Sequence, residues 1–196
     1  MRVLITGAAG MVGRKLLARL AKDGTLRGRK ISALDLHDIV PPQAPAIDGV
    51  DVSIRTGDLA EPGATARLVA SRPDVIFHLA GIVSGEAEAN VDLGYRVNLD
   101  GSTELFDAVR LAEGYAPRLV FSSSIAVYGG PFPPVIPGDF PPAPLSPYGP
   151  QKLMSGLLLT DLTPRGSFHG SRIPPPPLRV RPGKPDKAPA ASLSGL

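Results

Sequence analysis

The sequence predicts an α/β protein in which helices cover both faces of a doubly wound parallel sheet. Short apolar runs rich in β-branched residues recur along the chain, and segments with helical spacing of apolar residues separate them. Strands that alternate with helices are joined by crossover connections, which make neighbouring strands parallel. Continuous apolar runs are typical of strands that are buried on both faces.

Strands and helices follow one another in the order that this fold requires. The predicted strands occupy residues 2–6, 31–36, 50–54, 74–79 and 118–121. The predicted helices, assigned from apolar residues at helical spacing, occupy residues 11–22, 63–71, 95–112 and 148–162. Pro147 and Pro150 fall in the first turn of the last helix, where a missing N–H group costs little.

Composition narrows the classes of function. The chain has 196 residues, of which 43% are hydrophobic, which suits one domain with a buried core. The absence of Cys excludes disulfides and thiolate metal ligands, and it fits a reducing compartment, so we expect a cytoplasmic protein. The three His residues are widely separated, which disfavours a metal site. No apolar run reaches the roughly 18 residues that a membrane-spanning helix needs.

Proline and charge set the predicted domain boundary. Residues 131–150 contain nine prolines and are predicted to form an extended loop. Residues 164–196 carry six Lys or Arg and one Asp, and four consecutive prolines stand at 174–177. The net charge of +3 therefore belongs to this segment and does not indicate a nucleic-acid-binding surface. We expect one folded domain over residues 1–163 and a poorly ordered, proline-rich basic tail over residues 164–196.

A glycine-rich turn follows the first predicted strand. Gly7, Gly10 and Gly13 have G-x-x-G-x-x-G spacing and lead directly into the first predicted helix. Glycines let the chain turn sharply, and the backbone N–H groups at the positive end of a helix bind pyrophosphate. In this strand–turn–helix context, the loop with Met11 and Val12 indicates a dinucleotide-binding Rossmann-type fold, and a plain tight turn is the alternative.

Acidic residues suit the adenosine half of such a cofactor. Asp35 lies 22 residues past Gly13, near the end of the second predicted strand, where a carboxylate accepts both ribose hydroxyls and repels a 2′-phosphate. Asp35 therefore favours NAD over NADP, although the nearby Asp38 is an alternative. Asp58, followed by Leu59, closes the third strand, where it could reach the adenine amino group or form an ordinary turn.

Tyr148 and Lys152 form the candidate catalytic pair. Residues four apart on a helix project from one face. A phenol has a pKa of about 10, which is too high for a base at neutral pH. A neighbouring ammonium group lowers that pKa, and the same lysine can hold the nicotinamide ribose. An exposed surface pair is the alternative.

A serine cluster follows the fifth predicted strand, at the rim where open α/β sheets bind ligands. Ser124 is the candidate donor to a substrate oxygen beside the phenol, and turn chemistry is the alternative. We interpret His78, in the fourth strand, as a packed or hydrogen-bonded residue without a catalytic role. The sequence contains no G-x-S-x-G motif, which disfavours a serine hydrolase.

In combination these motifs resemble the extended short-chain dehydrogenase/reductase family, the group of NAD-dependent epimerases and dehydratases. The resemblance covers residues 1–163 and rests on GAAGMVG (7–13), Asp35, GDL (57–59), HLAG (78–81), VNLDG (97–101), FSSSIAVYG (121–129) and SPYGPQK (146–152). It implies that Tyr148 is the base, Lys152 its modulator and Ser124 the third catalytic residue. It also implies cofactor contacts from Leu79, Ala80, Gly81 and Asn98.

Within that family, the stretches 35–38, 78–88 and 151–163 most resemble enzymes that oxidise a secondary alcohol of a four-carbon sugar acid with NAD. A nucleotide-sugar epimerase or dehydratase would use the same residues, and a non-catalytic dinucleotide-binding protein is a third alternative. The resemblance also implies a homodimer through the helices at 95–112 and 148–162. We expect neither a nucleic acid nor a membrane as partner.

The family further implies a sixth strand and a substrate-binding region, most of which is missing here. Residues 173–181 stand where that strand is expected, and four consecutive prolines cannot lie in a central strand because proline has no N–H group to donate. We therefore interpret residues 166–180 as a frame-shifted or decayed segment of a truncated relative.

Overall fold

The computed structural model describes residues 1–134, 137 and 139–173, which form a six-stranded parallel sheet with helices on both faces. The strand order is β5-β4-β1-β6-β7-β8, which confirms the predicted doubly wound sheet. The strands of this sheet are β1 (Arg2–Thr6), β4 (Ala33–Asp38), β5 (Asp51–Thr56), β6 (Val75–His78), β7 (Arg118–Ser122) and β8 (His169–Ile173). The strand order reverses between β1 and β6, and ligands bind at such a switch point in open α/β sheets.

Helices connect these strands and cover the sheet. They are α1 (Met11–Asp23), α2 (Ala64–Val69), α3 (Ser84–Ala89), α4 (Val91–Gly94), a π-helix (Tyr95–Asp100), α5 (Gly101–Arg110) and α6 (Tyr148–Leu162). A short antiparallel hairpin of β2 (Thr25–Leu26) and β3 (Arg29–Lys30) follows α1. No helix in the described part of the chain is both long and apolar enough to cross a membrane.

The central strand supplies apolar side chains to both faces of the sheet. Val3 and Ile5 pack with Leu17 and Leu20 of α1 on one face. Leu4, which points the other way, belongs to a cluster on the opposite face that includes Phe106 of α5 and residues of α6. Since successive side chains of a strand point to opposite faces, this arrangement explains the continuous apolar run in β1.

The predicted helix at 95–112 is divided into the π-helix and α5. Asn98 lies in the π-helix and is fully buried. Its carbonyl oxygen accepts hydrogen bonds from the hydroxyl groups of Ser102 at 2.7 Å and Ser155 at 3.1 Å. Apolar spacing at 95–112 is compatible with both helix types, so the sequence could not distinguish them. Short π-helical segments are frequent at functional sites.

The sheet extends past the boundary that we expected at residue 163. Residues 169–173 form β8, which pairs in parallel with β7, and Phe168 is buried beside Phe106. Every residue of β8 has a backbone N–H group, because the four prolines begin only at residue 174. The placement of the sixth strand at 173–181 is therefore wrong, because the strand occupies residues 169–173. The interpretation of residues 166–180 as a frame-shifted or decayed segment stays a prediction. The expected poor order of residues 174–196 concerns positions outside the described residues.

Candidate functional site

A cavity of about 480 Å³ opens at the carboxyl ends of β1, β4, β5 and β6, beside the switch point. Its size lies within the range of small-molecule sites. Many of the predicted cofactor residues line it, namely Gly7, Gly10, Asp58, Leu59, Leu79, Ala80 and Gly81. The sequence reasoning missed other lining residues, among them His37, Ile39, Val40, Glu86, Leu93, Arg96 and Val97.

The glycine loop forms the floor of this cavity and holds its shape by close backbone packing. Gly7 has a φ of +75°, and a Cβ atom there would lie 2.6 Å from the backbone nitrogen of Ala80. A Cβ atom on Gly13 would lie 2.1 Å from the carbonyl oxygen of Gly7. The loop can therefore adopt this tight form only with glycine at these two positions.

The loop delivers the N-terminus of α1 to the cavity. Gly10 precedes the helix, and no described side chain caps the first turn, which also holds no acidic residue. The first N–H groups of a helix have no intrahelical acceptor, and they carry the positive end of the helix dipole. Met11 and Val12, which supply the first two of these groups, are exposed. This arrangement fits a phosphate group.

Of the two candidate carboxylates in β4, Asp38 rather than Asp35 lines the cavity. Asp35 is 4% exposed and lies in the middle of β4, where it accepts hydrogen bonds from Arg2 (3.1 Å) and Ser71 (2.8 Å). Asp38 ends β4, lines the cavity, and accepts the backbone N–H group of Ala9 in the glycine loop at 2.8 Å. The structure thus does not bring Asp35 to the site, and it favours the alternative that the sequence left open.

The prediction of Asp35 failed because β4 ends later in the chain than the sequence indicated. The apolar run suggested that the second strand ends at residue 36, whereas β4 pairs with β1 through His37 and with β5 through Asp38. The polar residues His37 and Asp38 concealed this extension in the sequence. The side chain of His37 is buried, and its Nδ1 atom has no hydrogen-bond partner among the described residues. Burial lowers the pKa of His37, which keeps the imidazole neutral.

Asn98 and Lys152 converge on Gly81, which lines the cavity. A Cβ atom on Gly81 would lie 2.7 Å from Oδ1 of Asn98 and 3.2 Å from Nζ of Lys152. Asn98 accepts the backbone N–H group of Ile82 at 3.0 Å and donates to Gln151 at 2.8 Å. A side chain at Gly81 would therefore collide with both of these buried polar groups.

Tyr148 and Ser124 interact with each other at the start of α6. Ser124 precedes a short 3₁₀ turn (Ile125–Val127) and accepts the backbone N–H group of Ala126 at 3.1 Å. Its own proton is then free to donate, and a hydrogen bond from Ser124 lowers the pKa of Tyr148. Gly149 packs directly on this turn, because a Cβ atom there would lie 2.3 Å from the carbonyl oxygen of Ala126. The structure thus brings the predicted serine and tyrosine together.

The electrostatic role that we expected for Lys152 is not what the structure shows. Burial raises the pKa of the Tyr148 phenol, and among the described residues Ser124, not Lys152, opposes this rise. Lys152 is 3% exposed, and its Nζ lies 4.9 Å from the centre of the Phe121 ring. Burial lowers the pKa of Lys152 to about 8. The lysine is therefore a buried group that is still largely protonated at neutral pH.

Lys152 should make the stability of the protein depend on pH. Between its folded pKa of about 8 and the ordinary value of 10.5, the unfolded chain holds a proton that the folded chain has released. The free energy of unfolding therefore increases with pH across this window. Between pH 7.5 and 10.5, the free energy of unfolding of the wild type is expected to increase by on the order of 3 kcal/mol relative to that of Lys152→Met.

Urea unfolding of both proteins at several pH values measures this difference. Lys15→Met, at an exposed position of α1, is the control and should follow the wild type. If the free energy of unfolding changed with pH in the same way for the wild type and Lys152→Met, burial would not lower the pKa of this lysine.

His78 has the packed role that the sequence indicated. It is 1% exposed, and its Nδ1 lies 2.7 Å from the Thr6 hydroxyl, while its Nε2 lies 2.9 Å from the Ser102 hydroxyl. Ser102 donates its proton to the carbonyl oxygen of Asn98, so it accepts one from Nε2 of His78. Burial lowers the pKa of His78 to about 3. This neutral imidazole connects the end of β1 with the π-helix.

Comparison with known proteins gives consistent results. The model of the NAD dependent epimerase/dehydratase family matches residues 3–171. D-erythronate dehydrogenase from Cupriavidus necator is 44% identical over 200 residues, which cover all of this chain and 61% of that enzyme. The chain thus spans about three fifths of the length of that curated relative.

Solved structures agree in fold. The structure titled nucleoside-diphosphate-sugar epimerase from Agrobacterium tumefaciens is 52% identical, with a TM-score of 0.93 over 99% of this chain and 58% of that one. UDP-glucose 4-epimerase from Brucella ovis, in complex with NAD, is 26% identical, with a TM-score of 0.72 over 88% of this chain and 51% of that one.

Proposed function

Because this chain belongs to the NAD dependent epimerase/dehydratase family, we propose that it acts in an NAD-dependent dehydrogenase that oxidises a secondary alcohol of a sugar acid such as D-erythronate. The observation that carries the proposal is the pairing of Tyr148 with Ser124 at the start of the helix that also carries the buried Lys152. Nζ of Lys152 lies beside Gly81, which lines the cavity floored by the glycine loop. The 44% identity to a D-erythronate dehydrogenase supports the choice of substrate class.

The residues at the cavity fit a dinucleotide. The uncapped N-terminus of α1 would hold the pyrophosphate through the backbone of Gly10, Met11 and Val12. Asp38 would accept the adenosine ribose hydroxyls and repel a 2′-phosphate, which favours NAD over NADP. Asp58 and Leu59 would contact the adenine. Together these residues would contact the pyrophosphate, the ribose and the adenine of the adenosine diphosphate half.

The nicotinamide half would lie towards the polar group of Asn98 and Lys152. Both side chains converge on Gly81 at the cavity edge. The Lys152 ammonium would donate to the nicotinamide ribose, while the close backbone packing of Leu79 and Ala80 on Gly7 would limit the space below the ring. When bound, NAD supplies the hydride acceptor for the reaction.

The chain's own residues supply proton transfer and orientation. Oη of Tyr148 would accept the proton of the substrate hydroxyl as its carbon loses hydride. The Ser124 hydroxyl donates to the tyrosine oxygen, which stabilises the phenolate and orients it. Lys152 is assigned to the cofactor ribose rather than to the phenol, because Ser124, not Lys152, opposes the rise in the pKa of Tyr148.

A nucleotide-sugar epimerase or dehydratase is the second candidate. The 52% identity to a structure titled nucleoside-diphosphate-sugar epimerase favours it. Such an enzyme would use the same tyrosine, serine and lysine, so the described residues fit both reactions. The two differ in outcome, because a dehydrogenase releases NADH whereas an epimerase returns the hydride to its substrate.

We also propose that the protein acts as a homodimer in the cytoplasm. Three apolar side chains of this region are exposed: Leu111 follows α5 directly, and Met154 and Leu157 lie in α6. Burial of these side chains against a second copy would remove apolar surface from water. The absence of Cys fits a reducing compartment.

NAD titration and a turnover assay with the same protein test the proposal. Calorimetry should detect NAD binding in the wild type and a large loss of affinity in Asp38→Ala. Asp35→Ala, which changes a carboxylate away from the cavity, should instead lower stability with little effect on affinity. D-erythronate should then produce NADH, measured by its absorbance.

The outcomes separate the candidates. Conversion of a nucleotide sugar without accumulation of NADH would favour the epimerase. Binding of NAD without turnover of any sugar acid or nucleotide sugar would favour the non-catalytic dinucleotide-binding protein. Absence of NAD binding would overturn the proposed function altogether.

A further inference from the structure

The Asp58 carboxylate is fixed in place by two donors. Oδ1 accepts the backbone N–H group of Ala60 at 2.9 Å, within the turn that follows β5. Oδ2 accepts a hydrogen bond from the Arg96 guanidinium, which reaches across from the π-helix. The Asp58 side chain is 15% exposed, whereas that of Arg96 is 51% exposed. The carboxylate is thus held at the cavity wall, while the guanidinium closes its outer side.

The cavity that this carboxylate lines also carries several apolar side chains. Leu59, Ile39 and Val40 come from the strand ends, and Leu93 and Val97 come from the helical side. A flat base that fills this space would displace water from Asp58. Removing an unpaired carboxylate from water is costly, and a charge-assisted hydrogen bond to a guanidinium offsets that cost.

Each carboxylate oxygen can accept more than one hydrogen bond. With one donor already on each oxygen, Asp58 still has capacity for a donor from the cavity. It has no proton to give, so a ligand atom that itself only accepts would meet repulsion here. The site therefore favours an N–H group over a carbonyl oxygen at this point.

We propose that Arg96 is a positioning residue for base recognition: it holds Asp58 so that the carboxylate accepts the 6-amino group of adenine and rejects a 6-oxo purine. This inference rests on the proposed dinucleotide function. Arg96 acts through Asp58, since the ion pair connects the two side chains across the cavity wall. The sequence motif that contains Asp58 does not indicate Arg96, because Arg96 lies 38 residues further along the chain.

A pair of dinucleotides tests the proposal directly. Nicotinamide hypoxanthine dinucleotide differs from NAD in carrying a 6-oxo group in place of the 6-amino group. Calorimetry gives the dissociation constants of both for the wild type, Arg96→Gln and Arg96→Lys. The wild type should prefer NAD by about tenfold or more, as expected for a hydrogen bond to a charged group.

Arg96→Gln should weaken NAD binding by about tenfold and the hypoxanthine analogue much less, so that the preference largely disappears. Arg96→Lys keeps the charge and should restore part of the preference. Arg110→Gln is the matched control, because it removes a comparable exposed ion pair, with Asp107, outside the cavity lining. It should leave both constants unchanged.

Three results would overturn the inference. A wild type that binds both dinucleotides equally well would show that Asp58 does not read the 6-position. Equal weakening of both by Arg96→Gln would assign Arg96 a general structural role. Dissociation constants that Arg96→Gln leaves unchanged for both dinucleotides would remove Arg96 from recognition. In each of these cases NAD still binds, whereas failure of the wild type to bind either dinucleotide would overturn the proposed function as well.

Discussion

Tyr148→Phe is expected to lower turnover by about three orders of magnitude while NAD affinity stays within about twofold. The substitution removes only the hydroxyl group, which in the proposed reaction accepts the substrate proton. The ring remains in place at the start of α6, so the packing of Gly149 on the turn after Ser124 should be kept. Steady-state production of NADH, together with calorimetric titration of NAD, separates the two effects.

Tyr128→Phe provides the control for this experiment. Tyr128 follows the same 3₁₀ turn, and its ring packs on Phe140 with a centroid distance of 5.8 Å. Loss of its hydroxyl group should leave turnover unchanged. If Tyr148→Phe retained most of the wild-type rate, proton transfer would have to be assigned to a different group.

Gly7→Ala is expected to destabilise the fold by about 3 kcal/mol or more, because a left-handed backbone and a steric clash act together. The added methyl group would meet the backbone of Leu79 and Ala80 at 2.6 Å, and backbone atoms cannot move aside independently. The glycine loop would shift away from β6, and NAD affinity should fall by about 100-fold or more, since the pyrophosphate contacts depend on this loop.

Gly24→Ala isolates the part of this effect that arises from the backbone angle. Gly24 ends α1 with a φ of +61°, close to that of Gly7, but no atom lies within 4 Å of a Cβ atom built there. Gly24→Ala should lower the free energy of unfolding by only about 1 kcal/mol and leave NAD affinity unchanged. Urea unfolding and NAD titration of both variants measure the two quantities. Similar losses in both would show that the close approach to Ala80 is unimportant.

The sequence was sufficient for five of the six strands of the parallel sheet and for the motif that forms the cavity floor. These features depend on local chemistry: apolar runs, glycines at fixed spacing, and a tyrosine four residues before a lysine. The match of the model of the NAD dependent epimerase/dehydratase family to residues 3–171 confirms the family that those motifs indicated. The assignment of individual site roles remains a prediction.

Features set by contacts between distant segments could not be predicted. The choice between Asp35 and Asp38 depends on how far β4 continues along its neighbours, and a polar strand end carries no apolar signal. The strand β8 was missed because a conspicuous proline run follows it directly. The direction of the pKa shift of Tyr148 depends on burial, which overrides the effect expected from a lysine one turn away.

The π-helix carries Arg96, which lines the cavity, and Asn98, whose Oδ1 lies beside Gly81 of the same lining, only two positions apart. Because successive residues of a helix point in different directions around its axis, loss or gain of a single residue here would turn one of these side chains away from its partner. The number of residues in this short stretch is therefore under stricter constraint than their identity, and in homologous chains substitutions should be tolerated there more readily than insertions or deletions.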